Sequence, residues 1–190
     1  MADQPGEYNA DYSYENSDVV FKNMTIDVGT GNYKGFVRAE SLYFENCTIV
    51  GMGSYWGTGK VVFKNCTFIN GNGYNLWTYS GTEFLFENCT FNSAAGKFVN
   101  AYKESAYDGT ATKLTFNGCA FIGGTANKPA VCLKGYKSNA WDLSFTNCTL
   151  TNCATDSATG SNYYLTEDTV TDTTVTIDGN VVWKNGAKAQ

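Results

Sequence analysis

Along residues 61–69, VVFKNCTFI, apolar and polar positions alternate with a period of two. Val61 and Phe63, then Cys66 and Phe68, fall on one side, and Val62, Lys64 and Thr67 on the other. A period of two belongs to a strand with one buried face, not to a helix. The pattern predicts two short strands that meet at a bend near Asn65. Near-copies recur as FKNMTI (21–26), FENCTI (44–49), FENCTF (86–91), FNGCAF (116–121) and FTNCTL (145–150). The leading aromatics Phe21, Phe44, Phe63, Phe86, Phe116 and Phe145 are 23, 19, 23, 30 and 29 residues apart. A weaker copy, VTIDGNVV (175–182), places Ile177 in the same column, whereas VVWKNGAKAQ (181–190) competes by setting Trp183 against Phe63. Repeats of this length signal stacked units, each of which buries its apolar face only against its neighbours.

Read down the stack, each position of the repeat states its own role. One column runs Asn23, Asn46, Asn65, Asn88, Gly118, Asn147 and Gly179. Asn and Gly are the residues that most readily take left-handed backbone geometry, so this column predicts the bend. Asn-X-Thr also reads as a glycan acceptor, but that does not explain why Gly replaces Asn twice. The next column is Met24, Cys47, Cys66, Cys89, Cys119, Cys148 and Asn180. Exchange with Met predicts buried apolar thiols. Parallel, in-register side chains do not turn toward each other as a disulfide needs, and a line of thiols does not converge on a metal. Cys132 and Cys153 lie outside the column, so a Cys132 or Cys148 pairing with Cys153 stays open. The leading Phe residues predict an interior aromatic stack. The alternating outward residues Lys22, Glu45, Lys64 and Glu87 predict weak register-setting attraction.

These motifs, VVFKNCTF, FLFENCTF and LSFTNCTL above all, resemble the right-handed parallel β-helix superfamily, often called pectate-lyase-like. The resemblance covers about residues 19–183 and implies an all-β solenoid of about seven coils with interior Phe and Cys columns and an Asn bend column. Residues 1–18 are expected to form a cap or a disordered segment, residues 19–183 the β-helix, and 184–190 a C-terminal tail. The closest likeness in character is to β-helical segments of bacterial surface adhesins. The same architecture also hosts lyases, hydrolases and structural stalks, so it leaves function open.

Composition narrows that choice. The net charge of −5 and a single arginine, Arg38, argue against nucleic acid and anionic membranes. No apolar run reaches the length needed to span a bilayer. Histidine, the commonest general base and metal ligand, is absent. The first residues carry no signal peptide, and a chain rich in Asn, Thr, Gly, Ser and Tyr reads as an excised piece of a secreted or cell-surface protein. No cofactor and no metal are expected, although Glu167, Asp168 and Asp172 could supply a calcium site.

Function is therefore expected in the segments between the repeats. The longer coils place their excess in 101–112, 134–142 and 154–168, and such insertions often build a solenoid's binding face. Those segments, with GSYWG and GYNLWTYS, hold Tyr55, Trp56, Tyr74, Trp77, Tyr79, Tyr102, Tyr107, Tyr136 and Trp141, the candidate binding residues, with Tyr163 and Tyr164 nearby. Exposed Tyr and Trp suit sugar stacking or a protein interface. Leu76, Trp77, Phe98 and Val99 read equally as a third strand and its core. A host protein such as an immunoglobulin or mucin, or a glycan, is the expected partner. The runner-up is a polysaccharide-active enzyme, with Glu104, Asp108 and Asp142 as acids. Glu40 and Glu83 are further acids, but none of the five falls in a recurring column. An outward column of Thr25, Thr48, Thr67, Thr90 and Thr149 invites comparison with ice-binding β-helices. It fails, because the adjoining outward column is not threonine.

Overall fold

The computed structural model describes residues 13–29, 34–36, 38–55, 59–69, 73–78, 83–93, 98–103, 111–123, 128–154, 156, 159, 161, 163–179 and 182–184. Every strand pair among them is parallel and joins one coil to the next. The first coil holds β1 (Ser13–Lys22), β2 (Thr25–Asp27) and β3 (Lys34–Gly35), and the second β4 (Arg38–Glu45), β5 (Thr48–Val50) and β6 (Gly53–Tyr55). The third has β7 (Lys60–Lys64), β8 (Thr67–Ile69) and β9 (Leu76–Thr78), the fourth β10 (Glu83–Glu87), β11 (Thr90–Ser93) and β12 (Val99–Lys103). The fifth starts with β13 (Thr112–Asn117) and β14 (Ala120–Gly123). From there β15 (Val131–Thr146) runs on into the sixth coil, followed by β16 (Thr149–Thr151), β17 (Tyr164–Asp178) and β18 (Val182–Lys184). The leading strands stack as a first sheet, the strands after the bend as a second, and β3, β6, β9, β12 and the start of β15 as a third, which β15 joins to the first.

The bend works as its residues require. Asn23, Asn46, Asn65, Asn88 and Asn147 have φ of 54°, 53°, 52°, 51° and 53°, and Gly118 and Gly179 continue the series at 64° and 66°. The Asn46 amide donates to Asn23 Oδ1 at 3.0 Å and the Asn65 amide to Asn46 Oδ1 at 3.2 Å. A Cβ at Gly118 would lie 2.5 Å from Asn88 Oδ1, so there the amide below occupies the room an Asn side chain would need.

Inside, the Phe column stacks almost face to face. Ring centroids from Phe21 through Phe44, Phe63, Phe86 and Phe116 to Phe145 are 4.8, 4.6, 5.3, 4.7 and 5.0 Å apart. A second stack, Phe68–Phe91–Phe121, at 4.6 and 4.9 Å, meets the first edge-on. Phe145 pairs with Ile177 and Leu150 with Trp183. Ile177 therefore continues the leading Phe column, and Trp183 belongs to the column of Phe68, not of Phe63.

All seven cysteines are buried and none is in a disulfide, Cys132 and Cys153 included. Cys47, Cys66, Cys89, Cys119 and Cys148 each lie 3.3–3.5 Å from the carbonyl of the Phe in the coil below, to which the thiol donates. Burial raises the Cys47 thiol above its ordinary value and pushes Cys153 up to about 12. An unfolded thiol ionises near pH 8.5, so above that value the unfolded chain releases protons that the folded chain keeps. The stability these thiols contribute is complete below about pH 8.5 and is lost as pH rises toward about 12. The urea midpoint should therefore fall between about pH 8 and about pH 10.5. A flat profile would show that the thiols ionise as freely folded as unfolded.

β1 begins at Ser13, pairing it with Arg38 and Tyr14 with Ala39. One segment differs from expectation. Segment 134–142 is not a loop. It lies within β15 and pairs along β17, with register shifts between Gly135 and Asn139 and between Asn139 and Trp141. Successive coils lengthen at the same corner, so the extra backbone groups satisfy each other across the coils and no excursion is needed.

Candidate functional site

On the third sheet, Leu76, Val99 and Val131 stack inward, as do Tyr55, Ala101 and Leu133, and all six belong to the hydrophobic core. Alternation turns the residues between them outward, giving the column Ser54, Trp77, Asn100, Cys132. This outer face is not a bare solvated wall. Ser54, Asn100 and Cys132 are 0%, 1% and 4% exposed, while Trp77 and Tyr102 are half-buried.

Trp77 is the centre of an aromatic cluster. Its ring stands 6.0 Å from Tyr74 at 63° and 6.2 Å from Tyr102 at 89°. Gly73, at φ 95°, makes the turn that delivers Tyr74. The start of β9 is then pinned by Asn75, whose N–H donates to the Phe98 carbonyl at 2.8 Å and whose amide donates to the Asn92 carbonyl at 3.0 Å. Beside Trp77 in the next coil, Asn100 has a buried Oδ1 with no hydrogen-bond partner among the described residues. A buried acceptor without a donor costs about 1–3 kcal/mol, and a bound donor would relieve that cost. Tyr102 pairs in register with Lys134, a half-buried cation at the same level. The arrangement offers ring faces and edges and a nearby cation to a ligand, while the unpaired Asn100 acceptor lies buried beside Trp77.

Of the aromatics expected to bind, the structure gathers Tyr74, Trp77 and Tyr102. Tyr55 and Trp141 are core residues instead, at 0% and 1% exposed. Tyr55 follows the inward phase of its strand. Its hydroxyl donates to the Ala39 carbonyl at 2.8 Å and accepts the Gly59 N–H at 3.0 Å, and its ring meets Phe84 edge-on. Trp141 shares the inward side with Leu143 and Phe145, an alternation already visible in WDLSF. Tyr163 is likewise buried, 4.9 Å from Phe145, while Tyr164 is half-buried. Trp56, Tyr79, Tyr107, Glu104 and Asp108 lie outside the described residues, as do the side chains of Tyr136, Glu167, Asp168 and Asp172.

The remaining acids are dispersed. Glu40 is exposed, Glu83 pairs with Lys60 at 3.1 Å, and Asp142 stands beside Lys113 on the first sheet. Among the described residues no group of three or more His, Cys, Asp or Glu could hold a metal ion. Asn100 and Lys134 are the site residues that the repeat pattern did not single out. The signal for Asn100 was a polar residue between Val99 and Ala101 in a strand whose inner face is apolar.

Coils of parallel strands around an aromatic and aliphatic core, with a polar and aromatic patch on one outer sheet, define a β-solenoid protein. The chain belongs to the family described as right-handed β-helix region, whose model matches residues 7–141. Neither the curated proteins nor the solved structures gave a match.

Proposed function

We propose that the chain is a non-catalytic binding module of a secreted or cell-surface bacterial protein of adhesin type, and that it recognises a glycan at Tyr74, Trp77 and Tyr102. The observation that carries this reading is the convergence of three aromatic rings outside the core, next to the buried and unsatisfied Asn100 acceptor. Apolar faces of a pyranose stack on such rings, and a hydroxyl supplies the donor that Asn100 lacks once the side chains covering its Oδ1 move aside. A host-protein ligand would use the same rings as hot spots, but it would not require a donor that reaches a buried amide.

A glycan array probed with the folded chain, alongside pull-down from mucosal secretions, tests the proposal. Binding to a defined class of glycan, competed by the free sugar, is the expected outcome. Capture of a host protein that persists after enzymatic deglycosylation, with an empty array, would transfer the site to protein recognition.

A further inference from the structure

The outer face of the first sheet carries a pattern unrelated to the aromatic site. On the third coil Lys60, Val62 and Lys64 point outward, and directly beside them on the fourth stand Glu83, Leu85 and Glu87. Lys60 and Glu83 are 45% and 43% exposed and Val62, Lys64, Leu85 and Glu87 are half-buried. The apolar row extends to Tyr43 and to Val20, which is 53% exposed. Pairs such as Lys22–Glu45 at 2.8 Å and Lys60–Glu83 at 3.1 Å explain why sign alternates within each column. They do not require both columns to carry lysine on one coil and glutamate on the next.

We propose that this face is the contact surface for a second copy of the chain, related by a two-fold axis that runs parallel to the strands between the third and fourth coils. That axis lays the third coil of each copy on the fourth coil of the other. Lys60 then faces the partner's Glu83, Lys64 faces the partner's Glu87, and Val62 meets the partner's Leu85, each contact occurring twice. A two-fold axis along the solenoid would set Lys60 against the partner's Lys64, so the shared phase of the two columns selects one arrangement. Val62 and Leu85 supply the apolar centre of the contact and the charges its rim.

Sedimentation of the chain, of K60E/K64E, of E83K/E87K and of an equimolar mixture of the two variants tests the proposal. The native chain should sediment as a dimer, and its dimer should weaken as ionic strength rises from about 0.05 M to about 0.5 M. Each variant should be monomeric, since like charges would then meet. The mixture should return to a dimer, because glutamates on one variant meet lysines on the other along the whole contact. Variants that stay dimeric, or a mixture that stays monomeric while both variants keep the native circular dichroism, would overturn it. Where a variant does not fold, carbodiimide coupling of mixed isotope-labelled and unlabelled native chain decides. Mixed-isotope Lys64–Glu87 peptides support the contact, and their absence, or a native chain that sediments as a monomer at about 0.1 mM, contradicts it.

Discussion

Replacing Phe86 by Ala should destabilise the chain by about 3–5 kcal/mol, read as a shift in the urea midpoint at unchanged slope. Phe86 is fully buried at the middle of the leading stack. It lies between Phe63 at 5.3 Å and Phe116 at 4.7 Å and touches Phe91 edge-on at 5.4 Å. Each coil contacts only the coils beside it, so a cavity at this point weakens the junction on both sides. A Phe86→Leu variant keeps most of the volume and should cost less than half as much. Phe21 is the useful contrast, because it is only half-buried and stacks on Phe44 alone within its column. If Phe86→Ala and Phe21→Ala cost the same, the interior columns do not hold the solenoid together.

Trp77→Ala should lower glycan affinity by on the order of 30-fold or more, which corresponds to about 2 kcal/mol. The indole meets both Tyr74 and Tyr102, so its loss removes the central ring of the cluster and loosens both neighbours. Because the ring points away from the core, the variant should melt close to the native chain. Asn100→Ala tests the deeper polar contact, and calorimetry should show lost affinity with the fold retained. Equal affinity for the native chain and Trp77→Ala would remove the aromatic cluster from the function.

The solenoid was legible because its repeat states each constraint several times. One Asn-Cys-Thr copy reads as well for glycosylation as for a bend, but Gly118 and Gly179 in the same column leave positive φ as the shared requirement. The third sheet has no such redundancy. GSY, LWT and VNAYK repeat no residue type at any paired position, so their alignment follows from backbone pairing that the sequence does not spell out. Tyr55 was expected outside for that reason, since in GSYWG nothing shows that its phase matches Thr78 and Ala101. The long strands β15 and β17 misled in another way. Length beyond the minimal coil reads as a loop, yet two neighbouring coils that lengthen together pair their added residues. Tyr74, Trp77 and Tyr102 could be named as candidates from their type. Their convergence, and the buried Asn100 between Val99 and Ala101, depend on which coils stack.

Fluorine NMR of the chain labelled with 5-fluorotryptophan, titrated with the glycan that the array selects, tests the central claim most directly. The chain has 4 tryptophans, and single Trp→Phe variants assign their signals. If the outer face of the third sheet is the recognition site, the Trp77 signal moves and saturates with the affinity seen on the array. The signal of Trp141, 1% exposed in the core, stays in place. A saturable shift that leaves Trp77 unmoved would place recognition elsewhere and contradict this account.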